Sequence, residues 1–209
     1  DHLPLYRQEQ RYARQGFAIA RSTLCGWLAE AAEVLTPLWH VLKERVLSAD
    51  IVNTDDTPVP VQDPDRDHCR TGRIWVYVSQ YGTIYDATPD RSRDGPLAFL
   101  KEFRGYLQCD AYAVYDVLFR GSEAMVIEVG CWAHARRKFV DAEKTSPREA
   151  HEAVARIKQL YAIEHEAKAS DAAARRALRQ EKSVPLLAAL QTWLDQLPPT
   201  ALPKSPLGE

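Results

Sequence analysis

Residues 74–88, IWVYVSQYGTIYDAT, contain two runs of β-branched and aromatic residues on either side of a short connection. Such runs favour β-strands, because branched and aromatic side chains pack well on a pleated surface. The connection, residues 80–82, has the length and the glycine that are typical of a hairpin. The stretch therefore predicts two neighbouring antiparallel strands, at 74–78 and 84–88.

Similar patterns extend this hairpin into a larger sheet. Three more β-branched or aromatic runs predict strands at 51–54, 106–109 and 125–129. Helix candidates lie at 96–103, 111–119 and 132–143. The resulting order is β-β-β-α-β-α-β-α, which is the order of ribonuclease H-like folds. We therefore predict an α/β protein with a ribonuclease H-like core, a mixed five-stranded sheet with flanking helices.

The composition is that of an ordinary globular chain. It has 209 residues, 45% of them hydrophobic, and a formal charge of -2, which argues against disorder and against a DNA-coating protein. No apolar run approaches the roughly 20 residues that a membrane span needs. The four cysteines are far apart, which favours neither a disulfide framework nor a zinc knuckle. We expect a cytoplasmic protein without a membrane partner.

Helical patterns flank the predicted core, which covers residues 49–144. Apolar residues after the candidate N-cap Ser22 repeat with helical spacing, a shorter helix candidate precedes Gly16, and Pro37 predicts the start of a further helix. We predict a helix-turn-helix-like lead-in over 1–48, which either contacts DNA through residues such as Arg21 or is simply two packed helices. Residues 145–209 predict a helical insertion and a connector.

Two aspartates stand at the ends of predicted strands. Asp55 ends the first strand and Asp110 ends the fourth. In a sheet of the predicted order these strands are neighbours, so the two carboxylates would lie within a few Å of each other. Like charges that close favour an intervening cation, and hard divalent cations prefer carboxylate oxygen. The alternative is that both aspartates only cap or turn the strand ends.

Five motifs, in order along nearly the whole chain, resemble the transposases of the insertion-sequence 66 family. They are DHLPLYRQ at 1–8, TDDTPVPV at 54–61, TGRIWVY at 71–77, LQCDAY at 107–112 and CWAHARRKF at 131–139. These transposases are DDE enzymes with a ribonuclease H-like catalytic core. The resemblance therefore implies a DNA transposase of a bacterial insertion sequence.

The resemblance also implies the site and its partners. Asp55 matches the first catalytic and metal-binding carboxylate and Asp110 the second, with two Mg²⁺ or Mn²⁺ ions in the intact enzyme. Asp56 stands where the family usually has Glu, and strand alternation predicts that it points to the opposite face. The implied partners are the terminal inverted repeats of the element and the target DNA, bound by a homodimer. Such a protein is nucleoid-associated when it is bound to DNA.

This sequence departs from the family pattern at the third catalytic carboxylate. That carboxylate is a glutamate downstream of a segment like KSPLG at 204–208, and this sequence stops at Glu209. We therefore expect a fragment with an incomplete core that is inactive by itself. Two alternatives remain: a non-catalytic DNA-binding or assembly remnant of a decayed transposase, and a ribonuclease H-like nuclease with another substrate.

Basic residues that follow the fifth strand are candidates for DNA contact. Arg136, Arg137 and Lys138 form a cluster that can meet phosphate, and Arg73 is a lesser candidate at the end of the charged loop at 63–73. His134 either orients a carboxylate, contacts DNA or is a structural histidine, and the pattern favours the last. Zinc binding by Cys131 and His134 is not favoured, because no second pair of soft ligands lies nearby.

Overall fold

The computed structural model describes residues 3–63, 65, 67–120 and 125–197. The chain divides into two compact units, residues 1–129 and 130–209. This division does not test the predicted organisation into segments 1–48, 49–144 and 145–209, which stays a prediction. The segment at 204–208 that resembles the family's KSPLG motif lies outside the described residues.

A mixed five-stranded sheet forms the centre of the first unit. Its strands are β1 Ile51–Val61, β2 Arg70–Ser79, β3 Gly82–Thr88, β4 Gly105–Cys109 and β5 Val126–Gly130. Their order across the sheet is β3-β2-β1-β4-β5. β2 pairs antiparallel with both β1 and β3, whereas β1 and β4 are parallel. The prediction of an α/β protein with a mixed five-stranded sheet is confirmed, and β1 and β2 are longer than predicted.

The described residues of this unit form four helices. They are α1 Leu5–Arg14, α2 Arg21–Leu47, α3 Asp94–Leu100 and α4 Asp116–Phe119. The predicted start at Ser22 and break at Pro37 are wrong, because α2 is one continuous helix. The backbone N–H of Arg21 donates to Glu9 Oε1 at 2.9 Å, which satisfies a donor at the helix start without Ser22. The side-chain hydroxyl of Thr36 donates to the carbonyl of Ala32 at 3.0 Å, just before the proline.

α4 is shorter than the predicted helix at 111–119. The backbone N–H of Tyr112 donates to Asp110 Oδ1 at 3.2 Å, which turns the chain directly after β4. Residues 113–115 form a further turn before the helix begins at Asp116. The turn chemistry of Asp110 therefore replaces the first half of the predicted helix.

The apolar core of the first unit lies on one face of the sheet. Val52, Trp75 and Leu107 are fully buried, and they come from three adjacent strands. The rings of Tyr77 and Phe99 stack with their centroids 3.7 Å apart, which joins β2 to α3. Helix α2 packs on this core through partly buried side chains that include Trp39. The side chains of β1 that point to this face of the sheet, including polar ones, are therefore buried.

The second unit is helical. It contains α5 Trp132–Asp141, α6 Pro147–Glu166, α7 Ala172–Leu178 and α8 Val184–Asp195, with short 3-10 turns at Ala142–Lys144 and Ala167–Ala169 and a π-helical turn at Arg179–Ser183. Buried residues of α6 repeat every three or four positions, at Ala150, Ala153, Ile157, Leu160 and Ile163. Leu190 of α8 is also buried. In the part of the chain that is described, no helix is both long and apolar enough to cross a membrane.

Candidate catalytic site

The pairing of β1 with β4 ends two residues before each of the two predicted site residues. In this parallel pair Val52 aligns with Leu107, and Asn53 aligns with Gln108. Asp110 follows the end of β4, as predicted, but the prediction that Asp55 ends the first strand is wrong. β1 continues to Val61 because it stays paired with β2, and Asp55 lies within it, opposite Val76. Both aspartates therefore lie just beyond the end of the β1–β4 pairing.

Asp55 lies on the face of β1 that is turned away from the core. Its neighbours Val52 and Thr54 are buried, whereas Asp55 itself is exposed. Its Oδ1 accepts a hydrogen bond from the backbone N–H of Asp56 at 2.9 Å. Strand alternation thus leaves this carboxylate accessible from solvent.

Asp110 follows the last residue of β4, and the protein engages both of its oxygens. Oδ1 accepts the hydrogen bond from the backbone of Tyr112, and Oδ2 lies 3.4 Å from Nη2 of Arg91. The side chain is 24% exposed, so Asp110 is oriented by the chain and still reachable.

Asp56 points to the opposite face from Asp55, as predicted, and is buried there. Its side chain is only 4% exposed. Nη1 of Arg73 donates to Oδ2 at 2.8 Å, while Nε and Nη2 of Arg91 donate to Oδ1 at 3.0 and 2.8 Å. A carboxylate so deeply buried requires charged partners, and these two arginines provide them. Asp56 therefore ties β2 and the segment after β3 to β1.

Arg91 joins the buried aspartate to the site, and sequence reasoning missed it. Besides its contacts with Asp56 and Asp110, its guanidinium lies 3.9 Å from the centroid of the Tyr112 ring. The hydroxyl of Tyr112 donates to the backbone carbonyl of Arg91 at 2.6 Å. Desolvation by burial opposes the charged form, but the hydrogen bonds and charge of Asp56, with the charge of Asp110, raise the pKa of Arg91 overall. Arg91 is a permanent positive charge beside Asp110.

No local pattern marks Arg91 in the sequence. It stands among other charged residues of the segment after β3. Its contacts join residues 35 positions apart, for Asp56, and 19 positions apart, for Asp110. Contacts between residues so far apart in the sequence can be predicted only when the strand register and the path of this segment are known.

A buried tyrosine supports the site from the core side. The hydroxyl of Tyr115 lies 3.4 Å from Oγ1 of the buried Thr54, next to Asp55 in β1. The Tyr115 ring packs edge-on against Trp75, with the ring centroids 6.5 Å apart. Burial raises the pKa of Tyr115 well above its usual range, so it stays neutral and acts as a packing and hydrogen-bonding group.

The predicted DNA-contact residues are distributed over both units. Arg73 is engaged with Asp56, and its side chain is 21% exposed. Arg21 is exposed at the start of α2. The remaining candidates lie on α5 in the second unit, where Arg136, Arg137 and Lys138 are exposed and His134 is half-buried. None of these placements tests contact with DNA, which stays a prediction.

The donor set of the site fits a hard cation in part. Asp55 and Asp110 offer carboxylate oxygens, the ligands that Mg²⁺ and Mn²⁺ prefer. Among residues 3–63, 65, 67–120 and 125–197, however, no cluster of three or more histidine, cysteine, aspartate or glutamate side chains is suited to hold a metal ion. A cation here would take its other ligands from water, from a bound substrate or from further protein groups.

The first unit thus combines a mixed sheet with Asp55 inside β1 and Asp110 directly after β4, and the second unit is helical. The chain belongs to the transposase IS66 family, whose model matches residues 1–209. It is 35% identical over 217 residues to the uncharacterized protein y4hP of Sinorhizobium fredii, covering 92% of this chain and 39% of that protein. It is 33% identical over 213 residues to the uncharacterized protein y4qI of the same organism, covering 94% of this chain and 40% of that protein. The chain thus spans about two fifths of the length of these curated relatives.

Proposed function

We propose that this chain forms part of a metal-dependent DNA transposase with a ribonuclease H-like catalytic core. Membership of the transposase family supports the class of function. The strand order β3-β2-β1-β4-β5, with an antiparallel hairpin followed by a parallel neighbour, supports the ribonuclease H-like arrangement. In this proposal Asp55 and Asp110 are the two metal-binding carboxylates of the core.

The register between β1 and β4 is the observation that carries the proposal. It pairs Asn53 with Gln108, so Asp55 and Asp110 each lie two residues beyond the end of this pairing. Two carboxylates at adjacent positions repel each other unless a positive charge lies between or beside them. Asp55 is exposed and Asp110 is partly exposed, so a cation and a phosphate can reach both.

The proposed reaction is the hydrolysis of a phosphodiester at the end of the element, followed by strand transfer. Bound Mg²⁺ or Mn²⁺ would activate the attacking oxygen and stabilise the leaving oxygen. A water oxygen bonds to phosphorus, the bond from phosphorus to the 3′ oxygen breaks, and a 3′-hydroxyl is released. That hydroxyl then attacks a phosphodiester of the target DNA, and the target's own 3′ oxygen leaves. Asp55 and Asp110 would hold the metal, and the turn after β4 orients Asp110.

The proposed partners are DNA molecules and a second protein subunit. The terminal inverted repeats and the target DNA would contact basic residues, with Arg21, Arg73, His134, Arg136, Arg137 and Lys138 as the candidates. Phosphate contacts from such residues position a nucleic acid without reading its sequence. A homodimer would pair the two ends of the element.

A second candidate function is a non-catalytic DNA-binding or assembly protein. One observation favours it: within the described residues no third carboxylate joins Asp55 and Asp110 in a metal cluster. For the same reason we expect the 209-residue chain by itself to be inactive in strand transfer.

Manganese binding by the purified chain tests the site directly. We expect Mn²⁺ to bind, as measured by the loss of the free-ion signal in electron paramagnetic resonance, and Asp55→Asn and Asp110→Asn each to weaken binding about tenfold, because each variant removes one charged ligand. The matched control is Asp116→Asn, whose carboxylate pairs with Arg120 at 2.6 Å on the surface of the same unit. Wild-type binding no stronger than that of Asp110→Asn would refute the proposed site.

Cleavage of DNA requires a longer protein that carries this chain at a length comparable to the curated relatives. We expect that protein to cut duplexes ending in the element's terminal inverted repeats in a Mg²⁺-dependent reaction and to leave random duplexes intact. Asp110→Asn in that protein should abolish cleavage. Equal cleavage of both duplexes would favour a nuclease with another substrate, whereas DNA binding without cleavage would favour the non-catalytic alternative.

A further inference from the structure

We propose that Arg91 is a built-in counter-charge for Asp110, which neutralises this carboxylate before a cation binds and thereby weakens cation binding. The inference rests on the proposed function, because it assigns Asp110 to a metal site. It adds a positioning residue that lies outside the five sequence motifs.

The contacts of Arg91 differ in strength, and the weakest one is to the site. Its Nε and Nη2 atoms donate to Asp56 at 3.0 and 2.8 Å, whereas Nη2 lies 3.4 Å from Oδ2 of Asp110. A contact of 3.4 Å is long for a charge-assisted hydrogen bond, which is typically shorter than about 2.9 Å. Asp56 therefore fixes the position of the guanidinium, and the positive charge of that guanidinium lies beside Asp110.

Arg91 keeps its place when the contact with Asp110 is lost. The buried Asp56 holds two of its nitrogens, and the ring of Tyr112 covers one side of the guanidinium at 3.9 Å. The hydroxyl of Tyr112 also anchors the backbone of Arg91 at 2.6 Å. A cation can thus take Oδ2 of Asp110 without moving the guanidinium, which then stays as a positive charge beside the metal.

A fixed positive charge near a metal site lowers the affinity of that site. For a divalent ion about 6 Å from a unit charge, Coulomb's law at a dielectric constant close to that of water gives a change of about tenfold in the binding constant. The side chain of Arg91 is 37% exposed, so a value near the aqueous limit applies. The negative charge of a DNA phosphate would offset the same repulsion, which would make cation binding and DNA binding favour each other.

Manganese affinity in charge variants of Arg91 tests this inference. We expect Arg91→Met to bind Mn²⁺ about tenfold more tightly than wild type, and Arg91→Lys, which keeps the charge, to bind within about twofold of wild type. Arg120→Met is the matched control, since Arg120 directly follows α4 in the same unit, is exposed and pairs with Asp116. Because Arg91→Met leaves the buried Asp56 with one fewer partner, the variant Arg91→Gln is measured as well, since its amide removes the charge and can still donate to Asp56. It should show the same tightening if the methionine variant does not fold.

The sign of the change in Mn²⁺ affinity distinguishes this role of Arg91 from a merely structural one. If Arg91 only supported the fold, its removal would disorder Asp110 and weaken Mn²⁺ binding. Equal or weaker binding in the folded methionine variant, with wild-type binding intact, would overturn the role of Arg91 and leave the proposed function standing. The absence of Mn²⁺ binding in wild type and in every variant would overturn the metal site itself.

Discussion

Replacing Asp56 by alanine removes the carboxylate that holds Arg73 and Arg91 together. The wild-type side chain is 4% exposed and accepts three hydrogen bonds from the two guanidinium groups, at 2.8, 3.0 and 2.8 Å. In the variant two positive charges converge on a small cavity without a counter-charge. Removing one partner of a fully buried ion pair costs about 3–5 kcal/mol. Arg73 and Arg91 are 21% and 37% exposed, so water can solvate them in part. We therefore expect a loss of about 2–3 kcal/mol.

Urea denaturation followed by tryptophan fluorescence measures this loss, because the buried Trp75 lies in the same unit and donates to Thr88 at 2.8 Å. For a chain of this size, a loss of that magnitude lowers the melting temperature by about 4–12 °C. Asp116→Ala is the matched control, because it removes an exposed aspartate paired with Arg120 and should cost less than about 0.5 kcal/mol. If Asp56→Ala and the control were equally stable, the carboxylate would not hold the strands together as we argue.

Two further predictions concern the backbone and the second unit. Gly105 has φ +134°, and an added Cβ would lie 2.5 Å from the carbonyl oxygen of Asp50, so Gly105→Ala should destabilise the protein by about 2 kcal/mol or more. Gly26→Ala in the exposed part of α2 meets no atom within 4 Å and should instead stabilise it by up to about 1 kcal/mol, and thermal melting of both variants distinguishes the signs. Glu164 accepts two hydrogen bonds of 2.7 Å from Arg179, which hold its pKa below the ordinary value of 4.5. Since a lowered pKa stabilises the folded state only while the group is ionised, Glu164→Gln should cost about 0.5 kcal/mol near pH 7. The difference from wild type should shrink as the pH falls below 4.5 and vanish only below the lowered pKa of the folded state, and a difference that stays constant from pH 7 down through that range would contradict it.

The strands were the most predictable part of the fold. Alternating or continuous β-branched runs are local signals, and each of the five predicted runs coincides with a strand. The helices were less predictable, because their ends depend on partners elsewhere in the chain. Glu9 accepts the backbone N–H of Arg21 at the start of α2, and the side chain of Asp110 turns the chain where a helix was predicted.

The two aspartates illustrate the same limit within the site. The motifs around them and the strand end before Asp110 could be predicted from the sequence, whereas the predicted strand end at Asp55 is wrong, because β1 continues to Val61. The different environments of the neighbours Asp55 and Asp56 could be predicted in part, since side-chain alternation along a strand places them on opposite faces. The sequence did not predict that two arginines bind Asp56 on the buried face, because Arg73 and Arg91 lie 17 and 35 positions away.

By itself the sequence determined the five strands, the family and the identity of the two candidate carboxylates, since each depends on a pattern within a few consecutive residues. Only the tertiary structure decided that Arg91 lies between Asp56 and Asp110, because that contact depends on the register of β1 with β4 and on the path of the chain after β3. Charge pairing acts over a few Å in space, and residues 19 and 35 positions apart approach that closely only in the folded chain.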